Sequence, residues 1–410
     1  MRIAYAVSLF PKLSETFILR EILELQRRGH EMTILSLKRD RETIVHEEAE
    51  PLMSRALYPA YGAAMAGSIL YWLVTSPLRL GTTLVRLVAS HGMHPRTLVK
   101  SLAVVPAALL FARRLAAARV EHVHAHWATY PATMAWIISR LTKIPFSMTG
   151  HAHDLFLPNP TLGLKVQDAV FVATISEFNR ALLIQKCGPA ALDKIRLIRC
   201  GLPLEQFPFG PRRAENATPR VISVGRLVDY KGFDVLIRAC ALLRDRGRPL
   251  ECVIVGDGPE RSRLEAMIRK LKLDGVVRLE GSSRQHEVAR RISRADVLAL
   301  ACVAGADGQQ DGIPIVLMEA MALGVPVISS KLSGIPELVV DNRTGILVAP
   351  GDDTHLAAGI ERLLGDAPLA ETLRLAARSM IEKEFDLRHS VDQLCAEFAA
   401  SAERRAGGTT

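Results

Sequence analysis

The chain is poor in aromatic residues: Phe, Trp and Tyr together make up 5% of its 410 residues. It has no run of lysine and arginine interleaved with aromatic rings, so a nucleic-acid surface has little to be built from. The six cysteines, Cys187, Cys200, Cys240, Cys252, Cys302 and Cys395, contain no C-x-x-C pair. Their scatter argues against a zinc knuckle or a disulfide framework and suits reduced thiols in a cytoplasmic protein. The first strand is not followed by G-x-G-x-x-G, the turn that lets a pyrophosphate approach the backbone in nicotinamide dehydrogenases. Residues 8–16 read Ser-Leu-Phe-Pro-Lys-Leu-Ser-Glu-Thr instead. The opening Met1-Arg2-Ile3-Ala4-Tyr5-Ala6-Val7 reads as that strand and lacks the long apolar core of a signal peptide. Residues 56–78 carry no charge and are long enough to cross a bilayer. Pro59, Gly62, Gly67 and Pro77 interrupt them, so they read as part of a helical insertion, about 52–118, that is buried or rests on a membrane surface.

Hydrophobic residues make up 49% and charged residues 23%, the balance of a globular chain with real cores, and 410 residues suit two domains. The net charge of +9 favours anionic partners such as nucleotide phosphates or acidic lipid headgroups, although a solvated basic surface accounts for much of it. Short apolar runs at 2–8, 31–37, 119–124, 145–149, 169–175 and 195–200 alternate with helical patterns such as 15–29 and 128–141. After a polar, Pro-containing stretch at 208–219 the alternation restarts, with runs at 220–225, 250–256, 276–281, 296–301, 325–330 and 345–348. Short apolar strands alternating with helices imply parallel sheets covered on both faces. The expected fold is therefore α/β, two Rossmann-like domains at 1–207 and 208–388. Residues 389–410 form a helix and tail beyond the second sheet pattern. In such domains ligands sit at the carboxyl ends of the strands.

The segment from Asp311 to Val327 carries the clearest chemistry. A polar loop leads to Gly312, Ile313 and Pro314. Pro314 suits a first helical turn, Gly324 suits the residue after a helix, and Pro326 prevents continuation. The unpaired N–H groups at such a helix start favour a phosphate or a polar sugar edge. Glu319 would lie about 7.5 Å along the axis from Pro314, so Asp311 and Glu319 could hold opposite ends of an elongated ligand. A carboxylate among Ile315, Val316, Leu317, Met318 and Ala320 is costly unless it has partners. Arg226 and Lys231 follow the 220–225 strand, where fixed cations would stabilise charge developing on a departing phosphate.

Five of the twelve histidines lie from His122 to His153. His122, His124 and His126 alternate and would share one face of a strand. No cysteine or acid motif completes a metal set around them, and the strand is expected to end near His124, leaving His126 in a loop. His151 follows a strand and is expected to face a ligand. Asp154 can simply cap the next segment, and Ser14 reads as an N-cap first and an acceptor contact second. Asp352-Asp353 reads as a helix cap rather than a metal pair.

These motifs together resemble the family-4 retaining glycosyltransferases of the GT-B fold. Asp311 to Glu319 resembles the acidic–x7–acidic signature. Val224-Gly225-Arg226-Leu227-Val228-Asp229-Tyr230-Lys231-Gly232 resembles the donor-diphosphate motif, and Val255-Gly256-Asp257-Gly258-Pro259 the Gly-rich turn after the next strand. Ser333-Gly334-Ile335-Pro336-Glu337-Leu338 resembles the stretch near the nucleotide, and Gly150-His151-Ala152-His153-Asp154 the HGxD-like segment. With Ser14-Glu15-Thr16-Phe17, the His-Ala-His-Asp segment is similar to a subgroup that makes exopolysaccharides of the colanic-acid type. Two positions depart from the pattern: Asp311 stands where Glu is usual, and Ala152 where a second glycine is usual.

The resemblance implies two domains facing across a cleft, the C-terminal helix returning to the N-terminal domain, and transfer of a sugar from a nucleotide diphosphate sugar to a glycan or lipid-linked glycan. It assigns Gly225, Arg226, Lys231, Gly256, Gly258, Asp311, Gly312, Ile313, Pro314, Ile315 and Glu319 to the donor. Among these, Arg226 and Lys231 serve the diphosphate, Asp311 the sugar hydroxyls and Glu319 the ribose. His151 lies beside the transferred sugar, and Ser14, Glu15, Thr16, His126, His153 and Asp154 are acceptor candidates. No metal and no other cofactor is expected. The setting is cytoplasmic, with peripheral contact at the inner face of the membrane. The alternatives are a nucleotide-sugar 2-epimerase on the same fold and a non-catalytic nucleotide-sugar-binding protein.

Overall fold

The computed structural model describes residues 1–12, 15–39, 47–210 and 218–407. The chain divides into two units, Met1–Arg199 with Ser390–Thr410, and Cys200–His389. The first contains, in chain order, β1 (Arg2–Phe10), α1 (Thr16–Arg27), β2 (Glu31–Arg39), α2 (Glu50–Met53), β3 (Ala56–Leu57), α3 (Ala63–Thr75), α4 (Pro77–His91) and α5 (Pro95–Ala117). There follow β4 (His122–His126), α6 (Tyr130–Thr142), β5 (Phe146–Gly150), α7 (His153–Phe156), α8 (Leu162–Asp168), β6 (Val172–Thr174), α9 (Glu177–Cys187) and β7 (Ile195–Leu197). The strands form one parallel sheet in the order β3-β2-β1-β4-β5-β6-β7. Every residue of β4 and β5 is buried, as expected of strands covered on both faces. The order reverses between β1 and β4, so the loops after these two strands flank the crevice where such sheets take ligands.

Two expectations about local structure change. β4 runs to His126, because His126 stays in register with Thr149 of β5, so this histidine ends the strand instead of lying in a loop. Helix α1 starts at Thr16 with Glu15 at its cap position and no side-chain cap bond, while Ser14, expected as the cap, lies outside the described residues. The insertion holds α2 to α5 but also β3, which pairs with β2 through Ile34 and Leu35. The Trp72 indole N–H donates to Leu109 O at 3.0 Å, tying α3 to α5, and buried His91 bridges Leu87 O and the Ser101 hydroxyl. Among the described residues no helix is long and apolar enough to cross a membrane.

The second unit contains β8 (Arg220–Val224), α10 (Phe233–Asp245), β9 (Glu251–Val255), α11 (Arg261–Lys270), β10 (Val277–Leu279), α12 (Gln285–Ile292) and β11 (Val297–Leu300). It continues with α13 (Ile315–Leu323), β12 (Val327–Ser330), α14 (Ile335–Leu338), β13 (Ile346–Val348), α15 (Asp353–Gly365) and α16 (Ala367–Glu384). Its parallel sheet runs β10-β9-β8-β11-β12-β13, with the reversal between β8 and β11. The stretch from Cys200 belongs here: Leu202 and Phe207 join this core, and Leu202 exchanges backbone bonds with Phe385 and Leu387. Asp352 caps α15, accepting from His355 N at 2.9 Å, which accounts for the acidic pair. The last helix, α17 (Leu387–Gly407), returns to the first unit: Glu397 pairs with Arg196 at 2.6 Å and the Phe398 ring lies 4.8 Å from that of His122.

Candidate functional site

In the second unit the loops after β8, β9 and β11 interlock at glycines. A Cβ at Gly256 would lie 1.9 Å from Gly225 O, and one at Gly232 would lie 1.7 Å from Ala301 O, so any side chain at either position would force the loops apart. Leu227 N donates to Asp257 O at 2.9 Å and Glu260 N to Leu227 O at 3.0 Å, while Val303 N donates to Tyr230 O at 3.0 Å. The resemblance assigned Gly225, Gly256 and Gly258 to the donor; in the structure a Cβ at Gly256 or Gly258 would run into the neighbouring turn, 1.9 Å from Gly225 O or 2.4 Å from Leu227 O.

This fixed frame brings Lys231 and Asp311 together. The ammonium lies 2.9 Å from one carboxylate oxygen and 3.0 Å from the other, and the two side chains are 14% and 16% exposed. Burial works against the Lys231 charge, but Asp311 outweighs it and the pKa rises to about 12. Burial, and then Asp311, push the Cys302 thiol up, so it stays protonated and donates to Asp311 Oδ2 at 3.2 Å. Arg226 is exposed on the same turn, close enough for its charge to act on Tyr230.

Helix α13 starts at Ile315, with Pro314 at the cap position instead of inside the first turn, and no side chain caps it. Its leading N–H groups, after the buried Gly312 and Ile313, therefore offer an anion-binding end. Gly324, in the left-handed region at φ 77°, ends the helix as the sequence suggested. Glu319 is 5% exposed and accepts from the Gln285 amide at 2.5 Å. Asp311 and Glu319 thus face different partners. Gln285 and Cys302 escaped the sequence reading, since neither belongs to a motif and both approach from other elements.

In the first unit a second polar cluster lies at the ends of β4 and β5. His126 Nδ1 is 2.9 Å from His151 Nε2, and His126 Nε2 is 3.0 Å from Glu21 Oε1 of α1. The Tyr5 hydroxyl donates to the same carboxylate oxygen at 2.6 Å. Burial, with His126 and His153 nearby, holds the His151 pKa well below the usual value, and burial does the same for His122, down to about 3, and for His124. Asp154 is fully buried and accepts from the backbone N–H groups of Ala128, His151 and Ala152, so its carboxylate holds the loop in place. His153 and His151 both lie against Trp127 at tilted angles of 45° and 52°, with 4.5 and 4.6 Å between ring centroids. Trp127 stands at φ 78°, a strained region for a bulky residue. Buried Lys165 and half-buried Asn159 hold the turn by donating to Ala128 O at 2.5 and 2.8 Å. Glu15 and Thr16 sit half-buried at the start of α1.

The expectation that no acid completes the histidine set is overturned. Among the described residues, Glu21, His124 and His126 place one potential ligand atom each within 4.8 Å of one another. Every one of these nitrogens already has a protein partner: His124 bonds to the Ser147 and Thr149 hydroxyls at 2.7 and 2.9 Å, and His126 to His151 and Glu21. Hydrogen bonding alone satisfies the cluster.

Sequence comparison adds to this geometry. The model of Glycosyltransferase Family 4 matches residues 14–206, and that of Glycosyl transferases group 1 matches residues 209–380. The amylovoran biosynthesis glycosyltransferase AmsK of Erwinia amylovora is 40% identical over 203 residues, 49% of this chain and 50% of that protein. The alpha-D-kanosaminyltransferase of Streptomyces kanamyceticus is 28% identical over 305 residues, 69% of this chain and 77% of that protein. The chain spans about half the length of the curated relatives it matches at the highest identity. Among solved structures, Anabaena Alr3699/HepE in complex with UDP-glucose superposes with a TM-score of 0.73 at 17% identity, covering 98% of this chain and 100% of that one. At that identity the likeness concerns the fold.

Proposed function

The chain belongs to the glycosyltransferases that these two models describe, and from that premise we propose that it transfers a sugar from a nucleotide diphosphate sugar to a glycan acceptor, with retention at the anomeric carbon. The observation that carries this reading is the pairing of Lys231 with Asp311 beside the uncapped end of α13, at the strand reversal of the second sheet. Lys231, Arg226 and the N–H groups of α13 take the diphosphate. As the bond from the anomeric carbon to the phosphate oxygen breaks, they stabilise the charge left on that oxygen. The acceptor oxygen bonds to the same face of the carbon and its proton passes to the departing phosphate, so no protein nucleophile is required. Asp311 receives sugar hydroxyls once Lys231 turns to the phosphate, and Glu319 with Gln285 receives the ribose. His151 is assigned to a sugar hydroxyl, and Glu15, Thr16 and His153 to the acceptor. The reaction runs without a metal, the fixed cations taking the role of an ion. Incubation with a panel of nucleotide sugars and glycan acceptors should release the free nucleoside diphosphate and form a glycosidic bond whose anomeric configuration, read by NMR, matches the donor. An epimerised nucleotide sugar with no glycoside formed, or tight donor binding with no turnover on any acceptor, would overturn the assignment.

The AmsK likeness and the colanic-acid-type motifs support a surface or secreted polysaccharide as the product, assembled on a lipid-linked acceptor at the cytoplasmic face of the membrane. A specific observation favours peripheral contact with that membrane. Helices α3 to α5 expose Leu70, Leu73, Val74, Leu78, Val85 and Val99, with Arg96 and Lys100 exposed beside them. Apolar surface next to basic side chains suits anionic lipid. Not every arginine there is available: Arg86 pairs with Asp168 at 2.9 Å. The chain should sediment with anionic vesicles at low salt and be released at high salt; no sedimentation at low salt would refute the contact.

A further inference from the structure

The three tryptophans differ in what their indole N–H groups meet. Trp72 donates to Leu109 O at 3.0 Å and Trp136 to the Asp168 carboxylate at 2.8 Å. Trp127 is half-buried, and its indole N–H has no hydrogen-bond partner among the described residues. A ring with an apolar body and a free polar tip suits a ligand that is apolar on its faces and polar at its rim. Trp127 is the first residue past β4, where the order of the sheet reverses, and its backbone stands at φ 78°. Contacts hold it there. Its own N–H donates to Thr149 O at 3.0 Å. The next residue, Ala128, is gripped at both polar atoms: its N–H donates to Asp154 Oδ2 at 2.7 Å, and its oxygen accepts from Lys165 Nζ at 2.5 Å and Asn159 Nδ2 at 2.8 Å. Lys165 also donates to Thr129 O at 3.2 Å. A costly backbone conformation persists only where its surroundings over-determine it, and such residues cluster at ligand sites.

We propose that Trp127 is a carbohydrate-binding residue that takes a pyranose ring of the acceptor against its indole, and that Lys165 is the positioning residue that holds it in place through Ala128. The Trp127 ring lies between those of His151 and His153, at 4.6 and 4.5 Å, with the Phe17 ring of α1 at 6.0 Å. A pyranose offers C–H faces to the indole and hydroxyl or ring oxygens to its N–H. A purely apolar ligand would cover the N–H and leave it unpaired, which is costly. The lysine that could attract a phosphate is instead committed to the carbonyls of Ala128 and Thr129. That the sugar belongs to the acceptor rests on the glycosyltransferase reading, in which His151 and His153 serve the two sugars that meet; that Trp127 binds a sugar does not.

The test is the 1H–15N spectrum of the full chain labelled at the tryptophan indoles, in which Trp127→Phe identifies the Trp127 signal. That N–H should exchange with water faster than those of Trp72 and Trp136. Titration with the methyl glycosides of glucose, galactose and mannose should move the Trp127 signal and slow its exchange, with Trp72 and Trp136 unmoved. Cyclohexanol and inorganic phosphate should leave it in place. A Trp127 signal indifferent to every glycoside, or one that answers cyclohexanol or phosphate as strongly, would overturn the sugar site. Without any ligand, Lys165→Met should shift or broaden the Trp127 signal and weaken its response to the glycosides; a Trp127 signal identical to wild type would overturn the positioning role. Should Lys165→Met fail to fold, Lys165→Gln, which keeps a donor, reads the same shift. Once a sugar-transfer assay exists, Trp127→Ala should raise the acceptor KM at least about 10-fold, as loss of a buried aromatic anchor does, with the donor KM unchanged; an unchanged acceptor KM would refute the assignment to the acceptor. A chain that binds glycosides at Trp127 but transfers nothing refutes the glycosyltransferase reading alone, and a chain that transfers sugar with Trp127 indifferent refutes this proposal alone.

Discussion

Lys231→Ala and Asp311→Asn break the same ion pair and should have opposite effects on nucleotide binding. At 2.9 Å the attraction is strong, but both side chains gave up most of their water to form it. Removing one partner from a fully buried pair costs about 3–5 kcal/mol. Here 14% and 16% exposure lets water reach the orphaned group, and Cys302 still donates to Asp311, so about 2 kcal/mol is expected for Lys231→Ala. In a unit of this size that lowers the melting temperature by about 4–8 °C. In the double variant the losses should fall short of additive by about 1–2 kcal/mol. The Lys231 pKa is raised, so the pair's contribution is complete below the unfolded value of 10.5 and is lost as pH rises through about 12; near neutral pH it is constant. Binding separates the partners. Lys231→Ala removes a phosphate ligand and should weaken nucleoside diphosphate binding at least about 10-fold, about 1.4 kcal/mol. Asp311→Asn releases Lys231 from its competitor and should bind the diphosphate as tightly as wild type or more so, while transfer collapses for want of a sugar ligand. Calorimetric titration with UDP, GDP and their glucose or mannose conjugates reads this directly. Equal weakening in both variants, or no change in Lys231→Ala, would refute the idea that the lysine exchanges Asp311 for phosphate.

Glu319→Ala should leave the fold largely intact, since Gln285 is half-buried and can turn to water, but it should cost most of the transfer activity; wild-type turnover would remove Glu319 from the donor site. Transfer should persist in EDTA, and loss restored by a divalent ion would direct attention to Glu21, His124 and His126. Acid should destabilise the first unit. The folded pKa of His122 lies near 3 against 6.5 unfolded, so below pH 6.5 the unfolded chain binds more protons, and stability falls by about 2 kcal/mol between pH 7 and pH 5 from this ring alone. His124 and His151 act in the same direction. A melting temperature unchanged over that interval would contradict the burial of the cluster.

The strands were legible because parallel strands covered on both faces must be short and apolar, and β1, β5, β8 and β9 were located by that pattern alone. Where it failed, tertiary pairing decided. β4 runs through His126 because Thr149 of the neighbouring strand lies opposite it, and a histidine that ends a strand looks the same in sequence as one that begins a loop. The stretch from Cys200 read as the end of the first repeat, but Leu202 and Phe207 fill the second core, and no periodicity encodes which of two cores a residue will fill.

The donor side was readable for a different reason than the histidine side. Glycines that must touch a neighbouring backbone, a proline before a helix and a carboxylate inside an apolar run are each costly or restrictive in isolation, so they stand out along the chain. The partners that make them work do not. Cys302 and Gln285 reach Asp311 and Glu319 from a strand end and another helix, and either would pass as an ordinary surface or core residue. Glu21 is the extreme case. It sits at an unremarked position of an amphipathic helix, more than 100 residues before the histidine it faces. Yet its carboxylate accepts from the Tyr5 hydroxyl and lies 3.0 Å from His126, a meeting that no local pattern announces. Sequence shows which groups can form a hydrogen bond; only the fold shows which of them meet.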